Sequence, residues 1–179
     1  MEKLKLYFDC DGVILNTIDK TKEWMKRDNI DPKDEFIVHD YFVSKIDWNI
    51  LIKEAGVLKD ALNKIKYLLS LGIYDAKILT TVTSMMEPEC KINYFNEQLP
   101  GVEVITVPWL VRKDSVVDAN NSLLVDDSKG NILNWRDAGG VGLHFVKENP
   151  NFDAMELDNL LDIPKFNDRL DSYEKKLMR

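Results

Sequence analysis

The sequence predicts an α/β protein: a parallel sheet with helices on both faces, and a small, mostly helical cap inserted after the first strand. Three observations predict it. Strand-like apolar runs alternate with helical spacing, one connection is far too long, and acidic or hydroxyl residues stand where strands stop. Leu4, Leu6 and Phe8 alternate with Lys5 and Tyr7 and give a first strand that ends abruptly at Asp9. Leu58, Ala61, Leu62, Ile65, Leu68 and Leu69 fall at helical spacing, with Gly72 placed to cap that helix. Ala76 to Val82 reads as a strand, Glu87 to Leu99 as a helix, and Val102 to Val107 and Leu123 to Val125 as strands. Val141 to Val146, after Gly139 and Gly140, supplies a fifth. Repeated βαβ units of this kind build a Rossmann-like sheet.

The long connection lies between Asp11 and Thr80, where about 65 residues stand against the roughly 30 that a whole βαβ unit needs. The excess is read as the cap, residues 17–57, with short helices near Thr17 to Arg27 and Asp47 to Ala55 around an aromatic-rich stretch containing Pro32. Residues 1–16 and 58–179 then form the core. Phe166, Leu170, Tyr173 and Leu177 follow Pro164 at helical spacing and suggest a last helix packed on the core.

With 31 Asp and Glu against 24 Lys and Arg the formal net charge is -7, and no basic tract interrupts the chain, so polynucleotide is not an expected partner. No apolar run approaches the roughly 18 residues that span a bilayer, and no membrane partner is expected. Cys10 and Cys90 lie far apart and in no metal-like spacing, which fits a reducing, cytoplasmic compartment.

Four fragments carry the chemistry: Asp9-Cys10-Asp11-Gly12-Val13, Thr80-Thr81, Lys113 and Asp126-Asp127. Open α/β sheets place their ligand sites at the carboxyl ends of strands, where these fragments are predicted to stand. Two carboxylates two positions apart can enter one crevice if the chain turns after them, and Gly12 permits that turn. A phosphate dianion 4 Å from one carboxylate would be repelled by roughly 8 kcal/mol at an effective dielectric of 20. Such a site needs cations. Asp9 with Asp126 or Asp127 offers the all-oxygen donor set that Mg²⁺ prefers, and Lys113 adds a fixed positive charge.

Together, in order and placement, the fragments resemble the haloacid dehalogenase superfamily, from about Lys3 to Val146. The resemblance implies a Mg²⁺-dependent phosphohydrolase in which Asp9 is the nucleophile and forms an aspartyl-phosphate, while Asp11 protonates the leaving oxygen and then activates water. It further implies that Asp11 meets the metal through its backbone carbonyl beside Asp9, Asp126 and Asp127. Thr80 would hydrogen-bond the phosphate, with Thr81 beside it, and Lys113 would steady both phosphate and Asp9. Within the superfamily the chain is most similar to the 5'-nucleotidase group that includes the 5'(3')-deoxyribonucleotidases, through DCDGVIL, RKDSVV before LLVDD, and Tyr41-Phe42-Val43-Ser44. On that likeness Tyr41, Phe42 and Val43 would contact the base of a small phosphorylated substrate.

Other readings of single fragments stay open. A lone D-x-D-G is often a turn, Asp126-Asp127 could simply open a helix, Lys113 competes with Arg112 and Lys129, and the cap aromatics could fill a small core. A phosphosugar phosphatase or phosphomutase would use the same core, and a receiver-like or silent phosphate-binding module would share its residue types. His39 and His144 stand at no ligand spacing and are not assigned chemistry, and the Cys10 side chain is expected to point away from the acid pair.

Overall fold

The computed structural model describes residues 3–170. Its centre is a six-stranded sheet in the order β3-β2-β1-β4-β5-β6, built from β1 (Leu4–Phe8), β2 (Tyr74–Val82), β3 (Val104–Pro108), β4 (Ser122–Asp126), β5 (Val141–Phe145) and β6 (Glu156–Leu157). Every pairing is parallel, with Leu6 beside Ala76 on one side and Leu123 on the other. This is the α/β architecture that the alternation predicts. The sixth strand, only two residues long, is too short to leave a periodic signal.

Period-two side-chain alternation divides each strand between two apolar layers. Leu6, Phe8, Ile78, Leu123 and Val125 join the larger core, which is closed by α4 (Ala61–Ser70) and α5 (Glu87–Gln98). Tyr7, Leu79, Val107 and Leu124 face the other way onto Ile132 and Trp135 of α6 (Lys129–Asp137). Gly72, with φ +72°, ends α4 as its position implies.

Between β1 and β2 the chain makes α1 (Thr17–Arg27), α2 (Glu35–Asp40), a π-helical turn (Tyr41–Lys45) and α3 (Trp48–Ala55). Asp34 and Asp47 cap α2 and α3 by accepting backbone N–H bonds. The excursion leaves and rejoins the core through two paired segments. Leu15 bridges Val57, Asn16 N–H donates to Gly56 O at 3.1 Å, and Leu58 N–H donates to Ile14 O at 2.8 Å. Helix α3 packs on both α1 and α5, which seats the cap over the core.

The cap aromatics divide. Tyr41 and Trp48 are buried in the shared core, whereas Phe36 is 90% exposed. After β6, residues Leu160–Phe166 form 3₁₀ turns with Pro164 inside them, and Leu160, Ile163, Phe166 and Leu170 pack on the core beside α4. The regular helix expected there begins only at Asp168, because Pro164 removes a backbone donor. Tyr173 and Leu177 lie outside the described residues. Among the described residues no helix is long and apolar enough to cross a membrane.

Candidate active site

In this strand order β1 continues into β2 on one side and β4 into β5 on the other, so the crevice of the sheet opens beyond the carboxyl ends of β1 and β4. Asp9 stands one residue past β1, its N–H paired to Val125 O at 2.9 Å, and Asp126 ends β4. The pairing of two parallel strands therefore fixes the separation of the two acids.

After Asp9 the chain turns tightly. Ile14 and Leu15 N–H both donate to Cys10 O, and Gly12 N–H donates to Leu15 O, each at 2.9 Å. Gly12 has φ +76°, and a Cβ there would lie 2.4 Å from Asp127 Oδ2 and 2.8 Å from Ile18 Cδ1. Glycine is required twice over, by backbone conformation and by the approach of the Asp127 carboxylate. The Cys10 side chain is buried in the core, away from the acids.

Lys113 leads the 3₁₀ turn Lys113–Ser115 and joins the two strand ends. Its Nζ lies 2.9 Å from Asp9 Oδ1 and 2.6 Å from Asp126 Oδ2. Arg112 is instead paired with Asp114 at the surface, and Lys129 starts α6, so Lys113 is the lysine brought to the acids. Asp126 also accepts from Ser128 N–H at 2.8 Å and Asn131 Nδ2 at 3.0 Å. Asp9 Oδ1 accepts from Cys10 N–H at 2.8 Å and from Lys113, and among the described residues no hydrogen-bond donor reaches its Oδ2.

Asp9, Asp126 and Asp127 bring ligand oxygens within 4.8 Å of one another. Burial, against the pull of Lys113 and with the push of Asp126 and Asp11, raises Asp9 to about 8. Burial and the charges of Asp126 and Asp11 raise Asp127 to about 6. Burial also opposes the charge on Lys113, yet Asp9 and Asp126 hold its affinity for the proton above the ordinary value. Three hard oxygen donors whose charges disfavour one another fit a small divalent cation.

Asp11 belongs to a second cluster. Its Oδ1 accepts from Thr17 Oγ1 at 2.6 Å, and its Oδ2 from Lys91 Nζ at 2.5 Å and Thr80 Oγ1 at 3.3 Å. Burial would raise its pKa, but Lys91, with Thr17 and Lys113, brings it below the ordinary carboxylate value. Fully buried Lys91 also reaches Glu87 Oε1 at 2.7 Å. Glu87 in turn accepts from Thr83 N–H at 2.7 Å, and its own N–H donates to Ser84 Oγ at 3.2 Å, which ties the start of α5 to the end of β2.

A cavity of about 400 Å³ opens between core and cap. Asp11, Thr17, Thr81, Thr83 and Glu87 form its polar floor, and its wall mixes the apolar Ile18, Met25, Pro32, Val38, Phe42 and Trp48 with the polar cap residues Thr21 and Lys22. The rings of Phe42 and Trp48 lie 6.2 Å apart.

The structure thus brings together Asp9, Asp11, Thr80, Lys113, Asp126 and Asp127 at the sheet edge, and places Thr81 and Phe42 on the cavity. It differs at three positions. Tyr41 turns into the cap core, where its hydroxyl donates to Asp28 Oδ2 at 2.6 Å, and Val43 is exposed at the surface; neither lines the cavity. The π-helical turn rotates these neighbours of Phe42 away from it. Thr80 is fully buried, with its hydroxyl given to Asp11 and accepting from Lys91, and is not open to a phosphate.

Lys91, Glu87, Thr17 and Asn131 were not singled out from sequence. The only signal was the Glu87–Lys91 spacing, which looks like any surface helical pair. His144, given no role from spacing, sits behind the acids, with Nε2 3.1 Å from Asp127 O and Nδ1 3.3 Å from Glu156 Oε1.

No family model matches the chain, and no curated protein matches it. Solved structures do. A haloacid dehalogenase-like hydrolase from Xanthomonas campestris aligns with TM-score 0.60 at 12% identity, covering 97% of this chain and 98% of that one. A haloacid dehalogenase hydrolase from Bacillus subtilis, crystallised with magnesium, gives 0.59 at 13% over 93% and 99%. The D,D-heptose 1,7-bisphosphate phosphatase from Burkholderia thailandensis gives 0.53 at 15% over 90% and 96%. At these identities the likeness shows that the chain has the fold of the haloacid dehalogenase-type hydrolases.

The crowding of like charges predicts how the site responds to a cation. Mg²⁺ raises the melting temperature of the native protein, by the equivalent of about 2.7 kcal/mol at a hundredfold excess over Kd. Asp127→Asn, which relieves the repulsion, melts no lower than native without metal and gains little from Mg²⁺. Thermal melts with and without chelator check both, and an unresponsive native protein contradicts the cation site.

Proposed function

We propose that this chain is a Mg²⁺-dependent phosphomonoester hydrolase acting on a nucleoside monophosphate through an aspartyl-phosphate on Asp9. The observation that carries it is the state of Asp9. One carboxylate oxygen is held by Lys113 and a backbone N–H, the other has no donor among the described residues, and two further carboxylates stand within 4.8 Å. The magnesium-containing relative and the bisphosphate phosphatase of the same fold support this reading.

Asp9, Asp126 and Asp127 would hold the metal, with the Asp11 carbonyl as a further donor. Bound there, the ion would neutralise phosphate charge and keep Asp9 ionised. Asp9 Oδ2 attacks phosphorus as the bond to the ester oxygen breaks, and Asp11, which Lys91 keeps short of a proton in this structure, must take one up from solvent before it can give it to that oxygen. Asp11 then takes a proton from water, the water oxygen attacks phosphorus, and the Asp9–phosphate bond breaks. Lys113 fixes Asp9 and faces the negative charge of the phosphoryl group.

The cavity wall favours a flat, weakly polar leaving group. A nucleoside would set its base against Ile18, Met25, Pro32, Val38 and Phe42 and its sugar hydroxyls toward the polar residues of the same cavity, such as Thr17, Thr21 and Thr83. The ring of Phe42, only partly buried at the cavity, suits a nucleobase. The partner is therefore a small molecule and not a polynucleotide, in keeping with the net charge of -7.

Two outcomes test the reading. Asp9→Asn abolishes phosphate release from p-nitrophenyl phosphate with Mg²⁺ while its circular dichroism stays native. Retained activity rules out the covalent route. Phe42→Ala raises KM for a nucleoside monophosphate by the equivalent of about 1 to 3 kcal/mol and leaves p-nitrophenyl phosphate little changed. Equal impairment of both esters with a lowered melting temperature assigns Phe42 to cap packing instead.

A further inference from the structure

The cavity between core and cap continues past Phe42. A second compartment of about 350 Å³ adjoins it, and Pro32, Val38, Phe42 and Thr83 line both. Beyond those shared residues the second compartment is bounded by Glu35 and His39 of α2 and by Trp109 of the core. Asp11 lines the first compartment and not the second. A molecule whose phosphate meets the acids therefore enters the second compartment only with the far end of its leaving group.

Trp109 is fixed by its backbone and left open at its side chain. Its N–H donates to Val82 O at 3.0 Å, next to the Val82–Pro108 pair of β2 and β3, and Val111 N–H closes a turn onto Pro108 O at 2.8 Å. The indole is nonetheless 52% exposed and belongs to neither apolar core. It faces His39 of the cap, with ring centroids 5.3 Å apart. Helix α2 buries no residue of its own, so Trp109 is not the socket of a packed cap helix. A large aromatic ring held by the sheet end and spent on no core is free to meet a ligand.

The lining restricts what that ligand part can be. Val38, Phe42 and Trp109 offer apolar and aromatic faces, with Glu35 and His39 as polar groups among them. The Glu35 carboxylate would repel a second phosphate on the leaving group, and it can accept from a ring N–H or an exocyclic amine. Stacking on Phe42 alone discriminates little, because every base has a π-face. Discrimination comes from what a base places beyond Phe42.

We propose that Trp109 is a specificity-determining residue that receives the outer ring of a purine, which makes purine nucleoside monophosphates the preferred substrates of this site. This rests on the nucleotidase reading above and adds the base to it. The five-membered ring, which carries the sugar, lies on Phe42. The six-membered ring extends into the second compartment against Trp109, with its polar edge toward Glu35 and His39. A pyrimidine is one ring shorter and leaves that compartment to water.

The test compares kcat/KM for adenosine and cytidine 5'-monophosphates, which both carry an exocyclic amine and differ in ring number. Native protein should favour the adenosine ester by about tenfold or more, the scale of one stacked ring. Trp109→Leu keeps apolar bulk without an aromatic face, and should lower the adenosine ester about tenfold and the cytidine ester less than about threefold. Trp109→Phe keeps a ring and should retain most of the preference. Equal falls for both esters in Trp109→Leu, no fall, a preference lost as fully in Trp109→Phe, or no preference in native protein overturns the inference and leaves the phosphatase reading standing. Native protein inactive on both nucleotides and on p-nitrophenyl phosphate, or an Asp9→Asn variant that stays active, overturns that reading and the inference with it.

Discussion

Everything at this site depends on packing five acidic side chains around strand ends with only two buried ammonium groups among them. Asp9, Asp126 and Asp127 crowd one side with Lys113, while Asp11 and Glu87 share Lys91 on the other. At an effective dielectric of 20, two like charges 4 Å apart repel by about 4 kcal/mol, so such a cluster exists only where each acid is pinned by a cation or by backbone N–H groups. The two halves are balanced differently. The Lys91 half is closed: Asp11 is drawn below its ordinary pKa, and Lys91 is held charged. In the Lys113 half burial, with the neighbouring carboxylates added to it, outweighs the one ammonium and leaves Asp9 at about 8 and Asp127 at about 6. Three carboxylates with oxygens within 4.8 Å of one another on that side are the geometric argument for a divalent cation there.

The scaffold makes this crowding possible by spreading the acids over separate strands. Pairing of β1 with β4 sets Asp9 against Asp126, and pairing of β1 with β2 brings Thr80 and Thr81 alongside Asp11. Each acid is then held by backbone that the central sheet already stabilises. Gly12 lets the chain turn back without a side chain in the space that Asp127 occupies. The cap contributes through its first residue, Thr17, and through Trp48, so the element that shapes the cavity also touches the groups that position Asp11.

Much of the sheet was legible because buried parallel strands leave compact apolar runs, and Leu6 and Phe8 point to one layer while Tyr7 points to the other. The acids were legible because the turn after β1 and the end of β4 leave short, local patterns. Lys91 was not, since an i, i+4 Glu–Lys pair reads the same in sequence whether it is solvated or buried, and only the seating of α3 on α5 decides. Tyr41 and Phe42 are neighbours whose exposures diverge because a π-helical turn, invisible to any regular period, sets their directions. Helix α2 buries no residue at all and so left no apolar stripe to find, and β6 is too short to show one. His144 is a case where a partner is a backbone carbonyl across the sheet, which no spacing encodes.

The central claim is that the cluster of Asp9, Asp126 and Asp127 is built to carry a phosphoryl group on Asp9 once a divalent cation is present. The most direct measurement is mass spectrometry of peptides from acid-quenched protein after brief exposure to a phosphate monoester, with Mg²⁺ and with chelator. A phosphoryl adduct on Asp9 that appears only with the metal is the predicted result. Phosphate release with no adduct on Asp9, or release undiminished in chelator, would contradict it.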